Sequence, residues 1–199
     1  MRALHAVAGF ILFFELPIPF YWLMIHPFNS FWHTRVRAAF WFAGLTAWTT
    51  GGVLLWISRR HLVARGNPPW FAIAAGLALI FVEGYLFVRV ERELGSRRLV
   101  GHAELTNTGE MFSGGLYKHV RHPRYAGMFA AVLGAALLAG TPTLWLVLLL
   151  WWPVALTAIR MEEKELASRF GPAYEIYKQS TPAFLPFRLR TQALAWQIV

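Results

Sequence analysis

The sequence predicts an all-α integral membrane protein with about five transmembrane helices, on three observations. Of its 199 residues, 57% are hydrophobic and only 15% are charged, whereas a soluble domain is about half apolar and a quarter charged. The apolar residues fall into five blocks, each near the roughly 20 residues a helix needs to cross the hydrocarbon core. The cations collect between the blocks rather than inside them, as they do in membrane proteins.

The first block runs from Leu4 to Ile25 and holds Glu15, Pro17 and Pro19. The prolines predict a kink there. The same residues interrupt the apolar run, and no small-residue cleavage site follows, so the block is not expected to be a cleaved signal peptide. The second block is Val36 to Ile57, closed by Ser58-Arg59-Arg60. The third is Pro69 to Val88, opened by Asn67-Pro68-Pro69 and closed by Arg89; proline suits the first turn of a helix. The fourth, Tyr125 to Gly140, and the fifth, Thr143 to Ile159, are separated only by Thr141-Pro142. They predict a tight helical hairpin, TM4–TM5. The fourth block is short for a full span. Its Gly127, Ala130, Ala131, Gly134 and Ala135 give small-xxx-small spacings for close packing. Trp145, Trp151 and Trp152 read as belt and lipid-facing residues.

Charge counting orients the chain. With five spans, 15 of the 19 cations, including Arg97, Arg98, Arg188 and Arg190, fall on one side; Arg2, Arg59, Arg60 and Arg65 fall on the other. The N-terminus is then outside, and the 89–124 loop and C-terminal tail are cytoplasmic. The loop is glycine-rich and long enough to suggest a function, and Gly109 to Gly114 reads as irregular. In the tail, Leu166, Phe170, Tyr174 and Tyr177 share one face at helical spacing. Gly171-Pro172 is expected to split the tail into two short interfacial helices.

Composition excludes several functions. There is no cysteine, hence no disulfide, thiolate metal site or cysteine nucleophile. The net charge of +9 does not point to nucleic acid, because no long basic run accompanies it. His119 and His122 have a His-x-x-His spacing, but no third ligand is evident, and no metal is expected.

Two polar clusters flank the hairpin. Tyr117 to Tyr125 holds two histidines, three cations and two tyrosines ahead of a helix that Pro123 would start. Such a helix end favours an anion. Arg160-Met-Glu-Glu-Lys-Glu-Leu166 follows the other arm, and Glu162 and Glu163 supply carboxylates. Together the clusters suit a zwitterion. A solvated face with weak ion pairs is the plain alternative.

These residues carry a resemblance. Gly115-Leu-Tyr-Lys-His-Val-Arg-His-Pro-Arg-Tyr-Ala-Gly127 is similar to the Tyr-x-x-x-Arg-His-Pro-x-Tyr-x-Gly signature of the isoprenylcysteine carboxyl methyltransferase (ICMT) family. Glu162-Glu163, Leu166, Phe170-Gly171, Tyr174 and Tyr177 resemble its second signature. The match covers Gly115 to Pro186, and the short chain resembles the family's prokaryotic members. Phospholipid N-methyltransferases share a weaker form of the pattern.

The resemblance implies one domain, 1–199, with three spans in 1–89 and a cofactor-binding catalytic core in 90–199. It implies an S-adenosylmethionine-dependent methyltransferase that yields S-adenosylhomocysteine and acts on a lipophilic acceptor in the bilayer. The acceptor could be a prenylcysteine carboxylate, an amine or a thiol. A non-enzymatic membrane protein that kept the fold is the other reading. The cofactor residues carried over are Tyr117, Lys118, His119, Val120, Arg121, His122, Tyr125, Glu162 and Glu163, and Arg160 and Glu163 are the catalytic candidates.

The chain departs from the pattern at Ala183, where the family's tail usually has arginine, and at an insertion, Asn107 to Gly114. Glu15 and Glu83 lie inside spans, where an ionisable residue is a functional hypothesis by default. Pairing of Glu83 with Arg89 or Arg92 is the competing expectation.

Overall fold

In lipid a backbone must satisfy its own hydrogen bonds, which leaves helices or closed barrels. The computed structural model describes residues 1–63, 66–95, 102–106 and 110–186, and every regular element among them is helical. Arg65, Arg97, Arg98, Arg188 and Arg190 of the charge count, together with residues 107–109 of the insertion and Gly101, lie outside the described residues.

The prolines break the first span as expected. Helix α1 (Arg2–Glu15) stops at Leu16, and α2 (Ile18–Ile25) starts after Pro17. A 3₁₀ turn, His26–Phe28, and the short α3 (Asn29–Trp32) follow. The second and third spans are α4 (Val36–Leu62) and α5 (Trp70–Leu94). Both run about one turn or more beyond their apolar blocks, because the charged residues that follow are themselves good helix formers. A one-turn helix, α6 (His102–Thr106), lies in the loop after α5 and has no signature in the sequence pattern.

Helix α7 (Pro123–Ala139) begins at the expected proline and ends at Gly140. Helix α8 (Pro142–Phe170) has 29 residues and continues through Pro153 into the polar tail. This corrects the expected pair of short tail helices: only α9 (Pro172–Ser180) is separate. The reason is local. Between Ile159 and Phe170 nothing breaks a helix, and Gly171, with φ +52°, is the first residue that does.

Among the described residues, four segments are long and apolar enough to cross a membrane: residues 2–32 taken together, α4, α5 and α8. With 17 residues, α7 is about 26 Å long. It is the most enclosed helix, buried along most of its length, and packs chiefly on α5 and α1. The α7–α8 hairpin connection is present, but its arms are not each other's main partners; α8 lies mostly against α2.

The small residues of α7 explain the tight α5 contact. A Cβ on Gly134 would stand 2.7 Å from the Gly76 carbonyl oxygen, so the two backbones cross with no room for a side chain. Trp145 and Trp152 are exposed as expected, but Trp151 is not. It is 4% exposed, and its Nε1 donates to the Leu16 carbonyl at 2.9 Å. The proline break interrupts the helical ladder there, and a buried indole N–H takes up the available acceptor.

Candidate active site

The first signature leaves the loop as a 3₁₀ turn, Gly115–Lys118. The turn is held to α5 by the Leu116 N–H, which donates to Glu93 Oε2 at 2.8 Å. Glu93 also accepts from Arg89 at 3.0 Å. The chain then turns into α7 with His122 as its N-cap residue.

Glu163 ties this signature to the tail. One of its oxygens accepts from Arg121 Nε at 3.0 Å and Nη2 at 2.7 Å, and lies 3.0 Å from His122 Nε2. The other accepts from Lys178 Nζ at 2.9 Å. Arg121 Nη1 donates to the Lys178 carbonyl at 3.1 Å and to the Thr181 carbonyl. Backbone bonds complete the seam: Arg121 N–H donates to Pro182 O at 2.8 Å, and His122 N–H to Ala183 O at 2.9 Å. The Tyr177 hydroxyl donates to Tyr117 O at 2.7 Å. Position 183 therefore meets the signature through its backbone, which alanine supplies as well as arginine would.

Glu163 lies past Ile159, beyond the apolar part of α8. Burial works to raise its pKa, but hydrogen bonds from His122, Lys178 and Arg121 outweigh burial and hold the carboxyl well below the usual carboxylate range. Burial pushes the Tyr177 phenol up to about 12, against the opposing charge of Arg121. Burial, with the Glu163 charge second, also raises Tyr174.

Under this seam lies a cavity. Of the expected site residues, Tyr117, Arg121, His122, Tyr125 and Glu162 line it. Lys118 and His119 are exposed, and Val120 is buried; none of the three lines the cavity. Glu163 does not line the cavity, and its carboxylate is taken up by Arg121, His122 and Lys178. Arg160 is exposed and does not line the cavity. The rest of the wall brings in Trp22, His26, Phe112, Arg169, Phe170 and Tyr174, among others.

Arg124 also faces the cavity, and it answers the question of the two intramembrane glutamates. Arg124 Nη1 donates to Glu83 at 2.6 Å, and Nη2 to Glu15 at 2.9 Å. Glu83 is thus paired as expected, but with Arg124, not with Arg89 or Arg92. Its other oxygen presses on Gly127, where any Cβ would collide with it.

Sequence reasoning missed the pair His26 and Glu165. His26 Nδ1 lies 2.6 Å from Glu165 Oε2. A partial signal existed, since Glu165 adjoins Glu162, Leu166 and Arg169 on the cavity face of α8. Nothing in the chain pattern linked that face to residue 26.

Helices long and apolar enough to cross a membrane, with a cavity lined by charged, aromatic and aliphatic side chains beneath a carboxylate-centred seam, define an all-helical integral membrane protein. The family model described as "Phospholipid methyltransferase" (PEMT) matches residues 71–173. The chain belongs to that family. The protein-S-isoprenylcysteine O-methyltransferase of Schizosaccharomyces pombe is 40% identical over 74 residues, covering 36% of this chain and 31% of that protein. The protein of the same name from Rattus norvegicus is 29% identical over 119 residues, covering 59% and 42%. The nickel-cobalt-cadmium resistance protein NccN of Alcaligenes xylosoxydans xylosoxydans is 32% identical over 77 residues, covering 39% and 36%. The chain thus spans about a third of the length of the curated relatives it matches, and the resemblance to the ICMT family is borne out. No solved structure matches the chain.

Proposed function

We propose that the chain is an S-adenosylmethionine-dependent membrane methyltransferase that acts on a lipophilic acceptor and releases S-adenosylhomocysteine. The observation that carries this reading is the cavity where the two signature clusters meet, in a chain of the phospholipid methyltransferase family. The donor set fits the ligand. Arg121 and Arg169 suit a carboxylate, Glu162 suits an ammonium or ribose, and aromatic faces suit a cationic sulfur. The Tyr174 hydroxyl is buried with no hydrogen-bond partner among the described residues, a donor available to a ligand.

When bound, S-adenosylmethionine supplies a methyl group on a positively charged sulfur. The protein's residues do the rest. Tyr117, His122 and Tyr125 orient the ligand from the α7 side, and Glu162 holds it from α8. The Arg121–Glu163 seam keeps the tail over the cavity and excludes water, which an in-line displacement needs. Lys118, His119 and Val120 support the loop without contact. Glu163 acts as a positioning residue, and Arg160 serves at the membrane surface. The apolar walls of α2 and α7 admit the acceptor from the bilayer. The cation asymmetry supports a cytoplasmic cavity and an N-terminus outside.

The test is calorimetric titration of detergent-purified protein with S-adenosylhomocysteine. Wild type binds at micromolar concentration, and Glu162→Ala and His122→Ala each weaken binding at least about tenfold, the loss of one charged hydrogen bond. Folded wild type that does not bind would overturn the reading.

A further inference from the structure

The cavity holds a second device that neither signature contains. His26 sits on the 3₁₀ turn that ends the first span, and its side chain is 2% exposed. Its Nδ1 is 2.6 Å from Glu165 Oε2. A carboxylate accepts, so Nδ1 carries the proton and Nε2 presents its lone pair. Nε2 is buried and has no hydrogen-bond partner among the described residues. The ring stacks on Trp22, with centroids 4.9 Å apart and planes 16° apart, which fixes its orientation. Trp22 and His26 both line the cavity. A buried polar atom without a partner is rare in native proteins. A cavity-lining histidine with one ring nitrogen locked to a carboxylate and the other buried without a partner among the described residues has the arrangement of a general base.

We propose that His26 takes the proton released in methyl transfer, with Glu165 as its positioning residue. The acceptor is then a group that carries a proton at neutral pH, an ammonium or a thiol on a lipophilic chain. This rests on the methyltransferase reading above. A carboxylate acceptor is already ionised at neutral pH and needs no base. In the step, the acceptor first gives its proton to His26 Nε2, and the lone pair freed on its nitrogen or sulfur forms a bond to the methyl carbon of the sulfonium donor. The carbon–sulfur bond of the donor breaks, and its electron pair stays on sulfur. The imidazolium left on His26 is stabilised by Glu165. The other charged or titratable groups facing the cavity are Glu162 and Arg169 from α8, Arg121, His122 and Arg124 around the start of α7, and Glu110 from the loop, with four tyrosines. Arg169 Nη1 stands 3.9 Å from Glu165 Oε1.

The experiment uses the full chain in detergent as wild type, His26→Gln and Glu165→Gln. Labelled methyl transfer from S-adenosylmethionine is measured to dodecanethiol, dodecylamine and N-acetyl-S-farnesylcysteine across pH 6 to 10, alongside S-adenosylhomocysteine affinity. Wild type methylates the thiol or the amine, and whichever reacts names the source of the proton. His26→Gln lowers kcat for that acceptor about 10²- to 10⁴-fold at pH 7. The loss shrinks as pH rises and the acceptor deprotonates unaided. Glu165→Gln gives a smaller loss with the same pH trend, and both variants keep S-adenosylhomocysteine affinity.

Turnover of the carboxylate acceptor alone would overturn the proposal and leave the methyltransferase reading standing. So would a pH-independent loss in His26→Gln. Failure of wild type to bind S-adenosylhomocysteine would instead sink the methyltransferase reading, and this proposal with it.

Discussion

Replacing Glu163 by alanine should release the tail from the cavity without unfolding the spans. The carboxylate accepts from Arg121 through two N–H groups, contacts His122 and pairs with Lys178. Hydrogen bonds to a charged group contribute about 1.5–3 kcal/mol each. Three corrections reduce the sum. Lys178 is 40% exposed, so its share is near the zero to about 1 kcal/mol of a surface pair. Arg121 keeps the Lys178 and Thr181 carbonyls as acceptors. The Arg121 and His122 bonds share one oxygen and do not add independently. A local destabilisation of about 2–4 kcal/mol remains, or about 30- to 10³-fold in the opening equilibrium. Amide hydrogen exchange of the 172–186 segment, followed by mass spectrometry, reads that equilibrium directly. The variant should lose protection there by that factor and keep wild-type protection in α5 and α7. Unchanged protection of the tail would refute the view that Glu163 is the brace, and would return it to direct ligand contact.

Three further outcomes follow from the geometry. Arg124→Leu leaves Glu15 and Glu83 buried without their cation, a loss of about 3–5 kcal/mol; thermal unfolding in detergent should show a midpoint lower by about 6–20 °C, and an unchanged midpoint would mean the pair is solvated. Gly134→Val forces a side chain against the Gly76 carbonyl and should cost at least about 1–3 kcal/mol, read as a lower unfolding midpoint, whereas the same change at Gly9, which has open space around it, should cost little. Tail docking should also depend on acid in one direction. The Glu163 pKa is depressed in the folded state, so its contribution is full above the unfolded value of about 4.3 and fades as pH falls below that. Exchange of 172–186, corrected for its intrinsic pH dependence, should therefore be flat from pH 6 to 8 and rise below about pH 4.5.

The sequence by itself determined the elements that depend on local chemistry. Pro17 and Pro19 dictated the break in the first span, Pro123 and Pro142 the helix starts, and Gly171 the stop before α9, because each acts through its own backbone. The apolar blocks determined that the chain crosses a membrane, since length and hydropathy suffice for that. The resemblance of the two signatures to the family pattern selected Tyr117, Arg121, His122, Tyr125 and Glu162, which the fold gathers around one cavity. Tertiary structure decided what depends on partners distant in the chain. Trp151 looked lipid-facing until the Leu16 carbonyl claimed its N–H. Glu15 and Glu83 waited for Arg124, and only the packing brings Lys178, Arg121 and His122 together on Glu163. His26 and Glu165, 139 residues apart, meet only because α2 packs against α8. Local propensity is written in neighbouring residues, but a buried charge or an unpartnered nitrogen takes its meaning from whatever the packing brings within about 3 Å.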